Sequence, residues 1–139
     1  MPKSKNVYLI LIFVYIMIPH ASEAAGLKIE RMSIYFDNDR PEITVKRNYP
    51  LKAYVEVEYT GDGLLLGQWE VDEEFFANIN MTISSGYKLV IQSPDIPHIP
   101  TFVSGTHSIR LVITNPLPGI SFPTAEYFVT VDEWKESGE

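Results

Sequence analysis

The stretch Leu51–Asp72 reads LKAYVEVEYTGDGLLLGQWEVD, and its alternation decides the fold. From Leu51 to Tyr59 the odd positions are Leu51, Ala53, Val55, Val57 and Tyr59, and the even ones Lys52, Tyr54, Glu56 and Glu58. A period of two sends one set of side chains into a core and the other into water, which predicts a half-buried strand. Thr60-Gly61-Asp62-Gly63 follows. These residues tolerate positive φ or bond their own backbone, so they predict a turn. Beyond it, Leu65, Gly67, Trp69 and Val71 alternate with Leu66, Gln68, Glu70 and Asp72. That is a second strand, with Trp69 on its inner face.

The same pattern extends in both directions. Towards the amino terminus, Ile29–Phe36 carries Met32, Ile34 and Phe36 on one side. The turn cluster Asp37-Asn38-Asp39-Arg40-Pro41 separates it from Glu42–Lys46, where Ile43 and Val45 point one way. Towards the carboxyl terminus, Glu73-Glu74-Phe75-Phe76 reads as a single helical turn or a loop, and Ile79, Met81 and Ile83 then alternate with polar residues. Ser84-Ser85-Gly86 predicts a hairpin turn into Tyr87–Gln92, with Tyr87, Leu89 and Ile91 on one face. Prolines 94, 97 and 100 make Ser93–Phe102 an extended crossover, because each removes a ladder donor and restricts its predecessor. His107–Thr114 and Glu126–Asp132 are the closing strands, with Ile109, Leu111 and Ile113 inward on one and Tyr127, Val129 and Val131 on the other. The expected core is Val55, Val57, Trp69, Ile109, Leu111 and Val129, the Trp69 indole N–H being bonded nearby. About seven to eight strands with frequent turns and no long helical stripe predict an all-β, antiparallel two-sheet sandwich.

Composition narrows the chemistry. The chain has 139 residues, 45% of them hydrophobic, and a formal net charge of −7. That is an ordinary folding composition with an acidic balance, which repels phosphate backbones and disfavours nucleic acid as a partner. With no cysteine, disulfides, thiolate metal sites and cysteine nucleophiles are excluded. Lys3 and Lys5 precede the unbroken apolar run Val7–Ile18, and Ser22 and Ala24 suit the positions before a signal-peptidase cut. The run is shorter than the roughly 20 residues a spanning helix needs. Residues 1–24 are therefore expected to be a secretory signal peptide, 25–132 the sandwich and 133–139 a polar tail. No cysteine follows the apolar run, so no lipid anchor is expected.

The chain resembles the immunoglobulin-like or fibronectin-type-III-like sandwich of exported bacterial cell-envelope proteins. Trp69 carries the resemblance, together with Gly105-Thr106-His107-Ser108-Ile109-Arg110-Leu111, similar to a G-x-H-x-[VI]-x-L strand opening, and the closing Tyr127–Val131. It implies an architecture and transfers no activity. The paired cysteines of antibody domains are missing. In an immunoglobulin order the two strands of Leu51–Asp72 would lie in different sheets, whereas so short a turn also suits a hairpin.

No catalytic constellation stands out. There is no G-x-S-x-G elbow, and Gly61-Asp62-Gly63 precedes a strand and not the helix a phosphate loop requires. Glu70, Asp72, Glu73 and Glu74 read as a solvated acidic rim, and Asp37-Asn38-Asp39 as a turn before a metal corner. His98 and His107 lack a second histidine at metal spacing, and His107 sits at a sheet end where its ring can bond a loop carbonyl. No cofactor and no metal is expected. Asn80-Met81-Thr82 matches the N-glycosylation pattern.

Surplus aromatics point instead to contact. Tyr54, Phe75, Phe76 and Phe128 fall off the inner faces or beside turns and are the candidate partner-contact residues. The expected function is a non-catalytic interaction or structural module in the envelope, periplasm or extracellular space, binding a protein partner. A carbohydrate-binding module is the alternative. It requires two or three of Tyr49, Tyr54, Tyr59, Tyr87 and Trp134 to share one exposed face. An enzyme would require an acid near Asp72 within hydrogen-bond reach of His98 or His107.

Overall fold

Alternating burial runs through almost every strand. In β3 (Ala53–Thr60) it is unbroken, every second residue from Ala53 to Tyr59 being buried. The computed structural model describes residues 26–137, and the apolar amino-terminal segment with its expected cut near Ala24 lies outside them. Besides β3 the strands are β1 (Lys28–Phe36), β2 (Glu42–Arg47), β4 (Gly63–Val71), β5 (Glu74–Ile83), β6 (Lys88–Gln92), β7 (Gly105–Asn115) and β8 (Thr124–Glu133). One sheet has the order β1-β3-β6 and the other β2-β8-β7-β4-β5. Among the described strands only β2 and β8 pair in parallel. The molecule is an all-β two-sheet sandwich, and the turn at Thr60-Gly61-Asp62-Gly63 carries the chain from one sheet to the other.

The inner faces meet in one core. Phe36, Val55, Val57, Leu65, Trp69, Ile109, Leu111, Tyr127 and Val129 are essentially inaccessible. Burying an aliphatic or aromatic side chain of this kind contributes about 1.5–3 kcal/mol, so a chain without disulfides can be held by such a core.

Several local expectations change. Glu73–Phe76 is neither a helical turn nor a loop. Asp72 and Glu73 both have positive φ, 51° and 67°, and form the two-residue turn of a β4–β5 hairpin that Glu74 continues as strand. The twist of such a turn matches that of the flanking strands, which offsets the strain of left-handed non-glycine residues. Ser84-Ser85-Gly86 is not a hairpin turn, because β5 and β6 lie in different sheets. Val131 is 71% exposed: the pairing of β8 with β7 ends at Val129, and the register of β8 against β2 shifts between Val129 and Glu133, which breaks the alternation there. Tyr87, expected beside Leu89 and Ile91, is exposed and precedes β6.

The indole nitrogen of Trp69 has no hydrogen-bond partner among the described residues, contrary to expectation. Trp69 stands opposite Ala77 and Leu111, so apolar neighbours on both flanking strands surround its ring. Glu70 also leaves the solvated rim. It is buried, Arg110 donates to its Oε1 from Nε at 2.9 Å and Nη2 at 2.7 Å, and Gln68 donates to Oε2 at 2.8 Å. The Gln68 and Arg110 hydrogen bonds hold its carboxyl below the usual glutamate range despite its burial.

Candidate functional site

Four chain segments converge at one end of the sandwich. The β2–β3 connection supplies Asn48, Tyr49 and Pro50, the start of β5 supplies Phe75 and Phe76, and the proline-rich crossover supplies Pro97–Phe102. Trp134, just past β8, closes the ring around a cleft of about 520 Å³. A smaller cleft of about 220 Å³ adjoins it, sharing Phe75, Phe76, Pro100 and Phe102 and reaching Asp72, Val103 and His107.

The walls are fixed where they meet the core. Ile99 and Thr101 are buried. Thr101 Oγ1 donates to the Tyr49 carbonyl at 2.8 Å, Asn48 N–H to the Thr101 carbonyl at 3.0 Å, and the Tyr127 hydroxyl to the Pro100 carbonyl at 2.8 Å. Trp134 N–H donates to the Arg47 carbonyl at 2.8 Å, and its ring meets Tyr49 edge-on with centroids 6.1 Å apart. The rim, by contrast, is open and apolar. Phe75 is 59% and Phe102 65% exposed, and Val103 is exposed beside them. Among the described residues no aspartate, glutamate, lysine or arginine lines the larger cleft. A contiguous apolar surface of this kind, on a chain of net charge −7, marks a contact site better than isolated exposed side chains would.

Asp72 and His107 do come together, as a catalytic reading required. His107 Nδ1 lies 2.7 Å from Asp72 Oδ2 and Nε2 lies 2.7 Å from the Val103 carbonyl oxygen. Both partners are acceptors, so both bonds form only when both ring nitrogens carry hydrogen. Such an imidazolium has no lone pair left to take a proton from a substrate. Asp72 is occupied too, accepting from Ser108 N–H at 2.9 Å through Oδ1. The group is a clamp that ties the β4–β5 turn to the segment before β7. Its ring stacks on Tyr127 with centroids 5.1 Å apart. His98 is exposed in the crossover and lines the larger cleft.

The clamp has a pH signature. Burial opposes the charge on His107, but the Asp72 carboxylate and the Val103 carbonyl outweigh it and raise the pKa above 6.5. A raised folded-state value means that the clamp stabilises fully below about pH 6.5 and weakens as pH rises through the folded value. The stability lost in His107→Ala is therefore expected to be larger at about pH 6 than at about pH 8.5. Urea midpoints of both proteins at each pH would check this, and a pH-independent difference would refute the doubly donating imidazolium. Burial, with the Asp72 charge adding, pushes the Tyr127 hydroxyl far up, so Tyr127 stays neutral throughout.

The candidate contact residues divide among three places. Phe75 and Phe76 belong to the cleft end. Tyr54 lies on the outer face of the small sheet, its ring stacked on Tyr35 at 5.5 Å and its hydroxyl donating to Asp37 Oδ1 at 2.9 Å. Phe128, 46% exposed, is on the outer face of the large sheet. Of the five rings a carbohydrate site would draw on, Tyr49 and Trp134 share the cleft, Tyr59 is buried, Tyr87 stands apart near β6, and Tyr54 is on the small sheet. Sequence reasoning missed Phe102, Val103 and Pro100 as site residues. The one signal was the proline spacing in a crossover that ended on an aromatic.

No family model matches the chain, and no curated protein matches it. Among solved structures it is similar to the CARDB domain of a Pyrococcus furiosus protein, a crystal structure of that domain in complex with di-metal ions. The TM-score is 0.57 at 12% identity, covering 76% of this chain and 94% of that one. A solution NMR structure of the same domain gives a TM-score of 0.56 at 11% identity, covering 76% of this chain and 95% of that one. At such identity the likeness carries the architecture, a two-sheet β-sandwich, and nothing finer.

Proposed function

We propose that the chain is an exported, non-catalytic interaction module that binds a protein partner through the aromatic end of its sandwich. The observation that carries this reading is the cleft of Tyr49, Phe75, Phe76, Phe102 and Trp134, rimmed by exposed apolar groups and, among the described residues, lined by no aspartate, glutamate, lysine or arginine. A peptide that inserts an apolar side chain or a proline-rich turn suits such walls, because aromatic anchors in a desolvated pocket supply most of an interface's affinity. The apolar run Val7–Ile18 with Ser22 and Ala24 supports export. The occupied nitrogens of His107 agree with a non-catalytic role.

Carbohydrate is the second reading, favoured by Tyr49 and Trp134 sharing one cleft. Sugar recognition also needs polar side chains beside the stacking rings. Asn48, His98 and Thr101 are the polar side chains outside the aromatics, and the Thr101 hydroxyl is already bonded to the Tyr49 carbonyl. The protein reading is therefore stronger. Immobilised protein is expected to retain a polypeptide from envelope or culture extract that Phe102→Asp fails to retain, with unchanged thermal unfolding. Retention by both proteins alike, or glycan-array binding that Trp134→Ala abolishes, would overturn it.

A further inference from the structure

The sheets end in four edge strands, and one of them is unlike the rest. β1 carries Lys28, Glu30 and Arg31 and a register irregularity between Ile29 and Arg31. β2 has six residues, follows Pro41, carries Glu42, Lys46 and Arg47, and is irregular between Val45 and Arg47. β6 has five residues and begins with Lys88. Charges, short length, prolines and bulges are the devices that stop an edge from pairing with another chain. β5 has ten residues, and its irregularity is confined to its start, opposite Trp69 and Glu70. From Ala77 to Ile83 it carries no charge, no proline and no glycine, and among the described residues it pairs only with β4.

We propose that β5 is a self-association edge, on which two copies of this chain pair antiparallel about a two-fold axis at Asn80. Such an axis sets Ala77 against Ile83, Asn78 against Thr82, Ile79 against Met81, and Asn80 against its own copy. Apolar residues then oppose apolar ones on the inner face, and polar oppose polar on the outer face. Opposed pairs of matching character stabilise an antiparallel ladder, and like charges would destabilise it. Two chains of net charge −7 repel, and this uncharged edge is where they approach at least electrostatic cost. The inner face also has surface left to cover. Three strands face five, and Ile79 and Met81 on β5 are only half-buried. Joined edges give a continuous ten-stranded sheet, with those four side chains of the two copies adjoining across the axis.

The chain lacks cysteine, so a single introduced thiol reports the geometry cleanly. Protein made in a host that leaves Asn80 unmodified is expected to show twice the chain mass by sedimentation equilibrium. Asn80→Lys, which places two ammonium groups face to face on an exposed position, is expected to return the single-chain mass with an unchanged far-UV spectrum. Asn80→Cys is expected to form an inter-chain disulfide on mild oxidation, and Thr44→Cys on the charged edge β2 is not. A single-chain mass at concentrations up to about 1 mM would overturn the proposal, since weaker association is no interface. So would a dimer that survives Asn80→Lys while Asn80→Cys oxidises no faster than Thr44→Cys. The paired segment Ala77–Ile83 begins just past Phe75 and Phe76, which the same strand gives to the aromatic cleft, and Asn80 lines neither cleft, so Asn80→Lys and Phe102→Asp test the two properties separately.

Discussion

Trp69→Ala is expected to lower stability by about 3–5 kcal/mol, the largest loss from any single truncation in the core. Trp69 is fully buried between Ala77 of β5 and Leu111 of β7, on the inner face of the large sheet. Removing it leaves a void between the central strand β7 and the edge strand β5, in a closely packed core that relaxes only partly. Against a total of about 5–15 kcal/mol for a domain of ordinary stability, that is a large fraction. Trp69→Phe separates two contributions. Phenylalanine keeps most of the ring and removes an indole N–H that has no partner among the described residues. A buried unsatisfied donor costs about 1–3 kcal/mol, which offsets part of the lost packing. Trp69→Phe is accordingly expected to cost only about 1–2 kcal/mol. Guanidinium unfolding of both variants would check this, and equal losses would show that the nitrogen, and not the ring volume, matters there.

The alternation that makes Trp69 a core residue was legible because burial in a sheet repeats every two residues. β3 could therefore be read almost residue by residue. What alternation does not encode is which sheet a strand enters. Ser84-Ser85-Gly86 has hairpin chemistry, yet the chain crosses there between layers, and tertiary packing decides that. The β4–β5 turn was hidden for a different reason. Its positive-φ positions are Asp72 and Glu73, with no glycine to announce them, and Asp72 is held by Ser108 and His107 from a strand 35 residues away. The site was legible only in pieces. Phe75 and Phe76 stood out beside a turn, but Tyr49, Phe102 and Trp134 come from separate connections and meet only when both sheets close. Val131 failed because the pairing with β7 stops at Val129 and the register against β2 shifts just beyond it, so the alternation does not carry through.

Gly67→Ala is expected to destabilise by about 3 kcal/mol, at the upper end of the usual cost of overpacking. Gly67 has the strand's inward parity, but its role is close approach and not backbone freedom. A Cβ there would lie 2.5 Å from the Val112 carbonyl oxygen and 3.3 Å from the Ile113 Cα. Both obstacles are main chain, so no rotamer change relieves them. The pairing of β4 with β7 shifts register between Leu66 and Gly67, because Leu66 faces Asn115 and Gly67 faces Ile113. The extra residue on β7 draws the two backbones together where glycine alone leaves room. Accommodating a methyl group would separate β4 from β7 in the middle of the five-stranded sheet, next to the Trp69 pocket. Gly119→Ala is the matched control, since a Cβ there meets nothing within 4 Å. Its effect is expected within about 0.5 kcal/mol of zero. Denaturant midpoints for the pair would settle the matter: similar values would mean that the two strands can part at Gly67 without loss, and that the sheet's centre is softer than its packing implies.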